Sequence, residues 1–144
     1  ELVGKIVVVK QTNDVHTNLF FQMLCSKFIE TYGLDDHIRS INKLYGENCA
    51  VMLDAMDKTF PKSVTYTRPE GGLFLWVTLP EGTDMKDFLA RTIAAKVAVV
   101  PGATFLPEPD KACYSFRMNY SMPTIEQIRT GVNALAGVMK DMGL

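Results

Sequence analysis

The stretch Leu73-Phe74-Leu75-Trp76-Val77 constrains this chain more than any other five residues. Side chains in a strand alternate between two faces, so a strand that is apolar at every position has to be covered on both. The residues before it, Arg68-Pro69-Glu70-Gly71-Gly72, are turn chemistry. Alternation puts Leu73, Leu75, Val77 and Leu79 on one side of a small sheet and Phe74 and Trp76 on the other. Either the strand is the middle of a small domain, or its second cover comes from something larger.

The totals allow the first option and exclude several functions. A chain of 144 residues is long enough to bury one core, and 47% hydrophobic with 22% charged residues is a globular composition. A net charge of -1 offers no electrostatic footprint for nucleic acid or anionic lipid. Cys25, Cys49 and Cys113 are scattered without metal-ligand spacing, as expected of reduced thiols in a cytoplasmic protein. The opening ELVGKIVVVKQ is too short and too charged for a membrane span and lacks a signal-peptide layout. It begins at Glu1 and runs straight into Ile6-Val7-Val8-Val9 without a cap, which is expected of a segment cut from a longer protein.

Periodicity gives the element order. Leu19, Phe20, Met23, Leu24 and Phe28 fall at helical spacing between about Thr17 and Tyr32, and Gly33 supplies a stop. Asp35 and Asp36 open a second helix, where negative charge suits the N-terminus, and it ends before Pro61. The period then changes: Val64, Tyr66 and Leu73 to Leu79 are strand-like, with a hairpin or sharp corner between them. Asp84 to Lys96 returns to helix, Val97 to Val100 is a short strand stopped by Pro101-Gly102, and Ala112 to Ser121 is another. Thr124 and Gln127 form a capping box before a helix with Ile128, Val132, Leu135, Met139 and Met142 on one stripe. The expected class is α+β, a small sheet with helices packed on it in the order α-α-β-β-α-β-β-α.

The strand Cys113-Tyr114-Ser115-Phe116-Arg117-Met118-Asn119-Tyr120-Ser121 carries the best candidate for chemistry. Alternation assigns Tyr114, Phe116, Met118 and Tyr120 to the core and Ser115, Arg117, Asn119 and Ser121 to the opposite face. A guanidinium is a planar, permanently charged fork that matches a carboxylate with two parallel hydrogen bonds. Arg117 is therefore either an anchor for a substrate carboxylate or an edge-strand arginine, solvated or paired with a surface acid. Gly71-Gly72 is either a turn needing positive φ or a place where backbone comes close to a ligand. His37 reads as a surface residue in the first turn of a helix, and His16 lies just before a helix capped by Thr17 or Asn18. There is no GxxxxGK[ST] or GxGxxG phosphate loop, and no Ser/His/Asp or Cys/His set can be assembled.

Five blocks in order, KQTNDVHTNLFFQ, GLDDHIRSINKLYGENCAVMLDAM, RPEGGLFLWVTLPEG, VAVVPGATF and FRMNYS before a capped helix, resemble the C-terminal part of fold-type I, pyridoxal-phosphate-dependent aminotransferases of class I/II. The likeness is to the group of 2-aminoadipate and kynurenine aminotransferases and the effector domains of MocR-type transcription regulators, and it covers essentially the whole chain. It implies that residues 1–32 are an interdomain helical segment and 33–144 the C-terminal small domain. It also implies that the parent transfers an amino group between an amino acid and a 2-oxo acid, or alternatively that it is a MocR-type transcription regulator in which this chain belongs to the aminotransferase-like effector domain.

The family's motif R-x-N-[FY]-S stands here as Arg117-Met118-Asn119-Tyr120-Ser121, so the resemblance gives Arg117 the substrate carboxylate, with Gly72 and Asn119 on the substrate side. The block around His16 would lie near the partner's active site. Pyridoxal phosphate would be bound by the large domain of the parent, upstream of Glu1, with the lysine that forms its Schiff base, and the intact protein would be a homodimer. By this reading the chain alone binds no cofactor, catalyses nothing, and meets no nucleic acid or membrane. A stand-alone binding module is the remaining alternative, since GGLFLWV is similar to the aromatic strand of RNA-binding RRM domains, although the acidic pI opposes it.

Overall fold

The computed structural model describes residues 2–108 and 111–144. Its contacts separate into two compact units that divide after Ile41. The first contains α1 (Leu2–Asn13), α2 (Leu19–Tyr32) and the start of α3 (Leu34–Thr59). Helix α1 goes beyond the expected order. Its run of β-branched residues from Ile6 to Val9 restricts χ1 and disfavours helix locally, so the sequence there carries no helical signal. Helix α2 starts at Asn18, whose Oδ1 accepts a hydrogen bond from the Phe21 N–H at 3.3 Å. It stops at Gly33, which takes the left-handed conformation at φ 69°. No described residue of α1 or α2 is buried.

The second unit, Asn42–Leu144, is built on a four-stranded sheet. Strands β1 (Thr65–Tyr66), β2 (Phe74–Thr78), β3 (Val100–Pro101) and β4 (Ser115–Asn119) lie in the order β1-β2-β4-β3 with every pairing antiparallel. The β1–β2 connection is the corner through Pro69 and Gly71-Gly72. Strand β3 is shorter and later than the Val97–Val100 expected. Pro101 does not stop it but forms part of it, which an edge strand tolerates because one of its sides has no ladder to complete. Val97 and Val99 still pack against the core, from irregular backbone.

Helix ends follow their local chemistry. Asp84 caps α4 (Met85–Ala94) by accepting from the N–H groups of Lys86 and Asp87, both at 3.0 Å. The capping box before α5 (Ile125–Asp141) is complete: Gln127 N–H donates to Thr124 Oγ1 at 3.2 Å, and Thr124 N–H donates to Gln127 Oε1 at 2.9 Å. Beyond α4, Lys96 adopts φ 60°, and Val97 N–H returns to the Thr92 carbonyl at 2.9 Å to close the helix end.

One face of the sheet is the core. Leu75, Val77 and Phe116 are fully buried there against Met56 of α3, Phe88 of α4, and Leu135 and Met139 of α5. The Phe88 and Phe116 rings meet at 5.2 Å between centroids. Behind β3 a 3-10 turn, Gly102–Phe105, passes so near β4 that a Cβ on Gly102 would stand 2.7 Å from the Ser115 carbonyl oxygen and 3.0 Å from the Trp76 ring. Gly102→Ala is expected to cost about 1–3 kcal/mol by overpacking, and Thr124→Ala about 1 kcal/mol through the lost cap. Urea midpoints at unchanged slope check both, and a neutral Gly102→Ala would contradict the close approach.

Candidate functional site

Arg117 sits in the interior of the sheet, opposite Trp76 on β2 and Val100 on β3. The edge-strand alternative is therefore corrected: β4 has a neighbour on each side. Register decides what surrounds the side chain. Because Trp76 faces Arg117 and Phe74 faces Asn119, these four share the face away from the core. Phe74 is 41% exposed, whereas its neighbour Leu75 is fully buried, so the two-faced strand has helices on one side only within this unit.

Arg117 is half-buried, and among the described residues no carboxylate oxygen lies within ion-pairing distance of its guanidinium. The ion pairs present, Lys10–Asp14, Arg39–Asp36, Lys58–Asp54, Arg68–Asp57 and Arg91–Asp87, are elsewhere. Instead Arg117 Cζ lies over the Phe74 ring at 3.9 Å from its centroid and over the Phe105 ring at 4.8 Å. Both distances are within the range of cation–π attraction. Phe105 also meets Trp76 edge-on at 5.7 Å. Ring faces hold the cation while its N–H donors remain available, an arrangement able to receive a planar anion.

Asn119 shares this face, but its Oδ1 is occupied. It accepts from Ser121 N–H at 2.8 Å and Ser121 Oγ at 2.9 Å, folding the chain from β4 toward the capping box. Gly72 adopts φ 86°, which a glycine reaches without strain, and it has open space where a Cβ would stand. Its carbonyl accepts from the Tyr120 hydroxyl at 2.9 Å, which ties the Gly71-Gly72 corner to β4. A cleft of about 460 Å³ is lined by Tyr45, Cys49, Glu70, Gly71 and Gly72, and Arg117 is not among its lining residues. Arg117 and Asn119 are thus brought together, while Gly72 opens onto a separate cleft beside α3.

Two members of this region escaped the sequence reading. Phe105 lay in a loop without periodicity, and only the β3–β4 register shows that it reaches Arg117. Asn48 is buried, donating to the Tyr120 carbonyl at 2.9 Å. Its spacing from Tyr45 and Met52 on the apolar stripe of α3 could have revealed it. Of the histidines, His16 Nδ1 lies 2.9 Å from the Thr17 carbonyl and His37 is exposed. Asn18, not Thr17, caps α2. Among the described residues no group of three His, Cys, Asp or Glu comes together to hold a metal, and no helix is long and apolar enough to cross a membrane.

No protein-family model matches the chain. It is 38% identical over 139 residues to aromatic-amino-acid aminotransferase 1 of Thermococcus litoralis, covering 96% of this chain and 33% of that protein. The solved multiple substrate aminotransferase of Thermococcus profundus superposes with a TM-score of 0.86 at 39% identity, over 99% of this chain and 35% of the other. The alpha-aminoadipate aminotransferase of Thermus thermophilus, solved with N-(5'-phosphopyridoxyl)-L-leucine, gives 0.83 at 32% identity over 98% and 36%. An HTH-type transcriptional regulator of Escherichia coli is 29% identical over 79% of this chain and 24% of its own length.

A four-stranded antiparallel sheet backed by helices, shared at such identity, defines a piece of a fold-type I aminotransferase. Within that family the chain belongs with the aromatic-amino-acid, 2-aminoadipate and kynurenine aminotransferases, as their C-terminal part. It spans about one third of the length of the relatives it matches.

Two groups beside the Gly71-Gly72 corner make stability depend on pH. Burial pushes the Tyr120 hydroxyl up, and the adjacent Cys49 raises it further. Burial also pushes the Cys49 thiol up, partly opposed by Tyr120. Both hold their protons more tightly folded than unfolded, so their contribution is complete below the ordinary thiol and phenol values and is lost as pH rises through the folded ones. The urea midpoint is therefore expected to fall as pH rises past the ordinary thiol and phenol values, about 8.5 and 10, and Tyr120→Phe should flatten the part of that fall above the phenol value. An unchanged slope in the variant would contradict the assignment.

Proposed function

We propose that this chain is the substrate-closing C-terminal domain of a pyridoxal-phosphate-dependent aminotransferase, and that Arg117 binds the α-carboxylate of the amino acid and of the 2-oxo acid. The observation that carries this is a guanidinium on the uncovered face of the sheet, without a carboxylate partner among the described residues and held by aromatic rings. A carboxylate entering from that side would complete the charge pair with two parallel N–H···O bonds. Fixing the carboxylate fixes the orientation of the Cα–H bond, which is how binding a group that does not itself react raises the rate. Asn119 would support the site from the same face, through the turn that its Oδ1 holds. Gly72 would shape the approach on the other side of the corner.

The cofactor does not fit this chain's own residues. Every lysine is exposed, and no glycine-rich phosphate loop is present. Pyridoxal phosphate, which serves as an electron sink when bound, is assigned to the large domain of the parent, as is the Schiff-base lysine. In this reading residues 1–32 join the two domains, residues 33–144 form the small domain, and the intact protein is a cytoplasmic homodimer. The chain alone is inactive.

The similarity to a transcriptional regulator favours a second reading, in which the parent uses the same carboxylate site to sense an amino acid. DNA binding that responds to amino acids, by a parent that turns none of them over, would select it.

For the enzyme reading, Arg117→Ala in the full-length protein is expected to raise KM for amino acid and 2-oxo acid alike by about tenfold to a hundredfold, the value of a lost charge-assisted pair. Arg117→Lys should recover only part of this, because an ammonium lacks the planar fork. Steady-state kinetics with several amino acids check both, and a KM within twofold of the parent's would refute the role.

A further inference from the structure

We infer that Phe74 and Phe105 are positioning residues that present the Arg117 guanidinium edge-on to its ligand. This rests on the reading of Arg117 as the carboxylate anchor and adds what sets its pose.

An arginine side chain has several free rotors, and ordering them costs entropy at the moment of binding unless it has been done beforehand. A carboxylate partner within the protein can do this, but it uses up donors. Here the rings do it. Cζ is 3.9 Å from the Phe74 centroid and 4.8 Å from that of Phe105. The five N–H donors radiate in the guanidinium plane, whereas cation–π contact uses the face of that plane. Stacking and carboxylate binding therefore draw on different parts of one group and do not compete.

The two rings have no competing structural duty. Phe74 is 41% and Phe105 47% exposed, and neither belongs to the core cluster that stabilises the unit. Phe105 is itself seated by Trp76, edge to face at 5.7 Å. Trp76 in turn lies against Gly102, where a Cβ would come within 3.0 Å of the indole. A chain of contacts thus runs from the Gly102–Phe105 turn through Trp76 and Phe105 to the guanidinium. It fixes the direction from which a planar anion can reach Arg117.

The test compares Phe74→Leu, Phe105→Leu, Phe74→Tyr and Arg117→Ala in the full-length protein. Readouts are KM and kcat for an amino acid and its 2-oxo acid, and the inhibition constant of the amine that lacks the carboxylate. The leucine variants are expected to raise both KM values about threefold to tenfold, the worth of a partly desolvated cation–π contact. Their affinity for the amine, which has no carboxylate to offer Arg117, should be unchanged. Phe74→Tyr, which restores a ring of the same charge distribution, should stay within twofold. If Arg117→Ala raises KM while the leucine variants do not, the positioning role is overturned and the carboxylate anchor stands. If Phe74→Tyr is as impaired as Phe74→Leu, shape and not ring charge is at work, which also overturns it. A normal KM in Arg117→Ala would overturn both readings together.

Discussion

The antiparallel register between β2 and β4 is the constraint on which the rest of this unit depends. With Trp76 opposite Arg117 and Val77 opposite Phe116, every core residue of the two strands points to one face. A slip of one residue would exchange the faces, putting Arg117 among Met56, Phe88 and Leu135 and exposing Phe116. The cost of burying an unpaired guanidinium, together with the loss of several fully buried apolar side chains, excludes that alternative by many kcal/mol. The hydrogen bond between Thr78 and Ser115, 2.9 Å apart, pins the same register at its far end, and the Tyr120 hydroxyl on Gly72 pins the near end.

Much of this was legible in the residues themselves. Period-2 alternation in Leu73–Leu79 and Cys113–Ser121 separated the core face from the opposite one, because within this unit both strands have one face against helices and one without them. The capping box at Thr124 and the stop at Gly33 were readable because each is a local solution that needs no distant partner. What stayed hidden was long-range. Nothing in Pro101-Gly102-Ala103-Thr104-Phe105 announces that its last ring lies over an arginine of the neighbouring strand, twelve residues further along the chain. The β-branched start of α1 hid a helix whose formation local propensity does not explain. The interior position of β4 likewise follows only from strand order, which composition does not give.

The site has an economy that follows from the fold. A charged group on a sheet has to be solvated, paired or held by polarisable surface. Phe74 and Phe105 provide the last of these and, among the described residues, leave the hydrogen-bonding edge unused. The likeness to solved aminotransferases, across nearly all of this chain but about one third of each of theirs, gives that unused edge its chemical context. Helices α1 and α2 of the first unit bury no described residue, and Phe20, Met23 and Phe28 of α2 are exposed.

The most direct test is nuclear magnetic resonance of the arginine Nε–Hε pairs in the full-length protein, with the Arg117 signal assigned by Arg117→Lys. Ring-current shielding from Phe74 should place that signal upfield before any ligand is added. Addition of a substrate amino acid should then move it saturably, and the matching amine without a carboxylate should not. A signal that ignores the amino acid, or that responds equally to the amine, would contradict Arg117 as the carboxylate anchor.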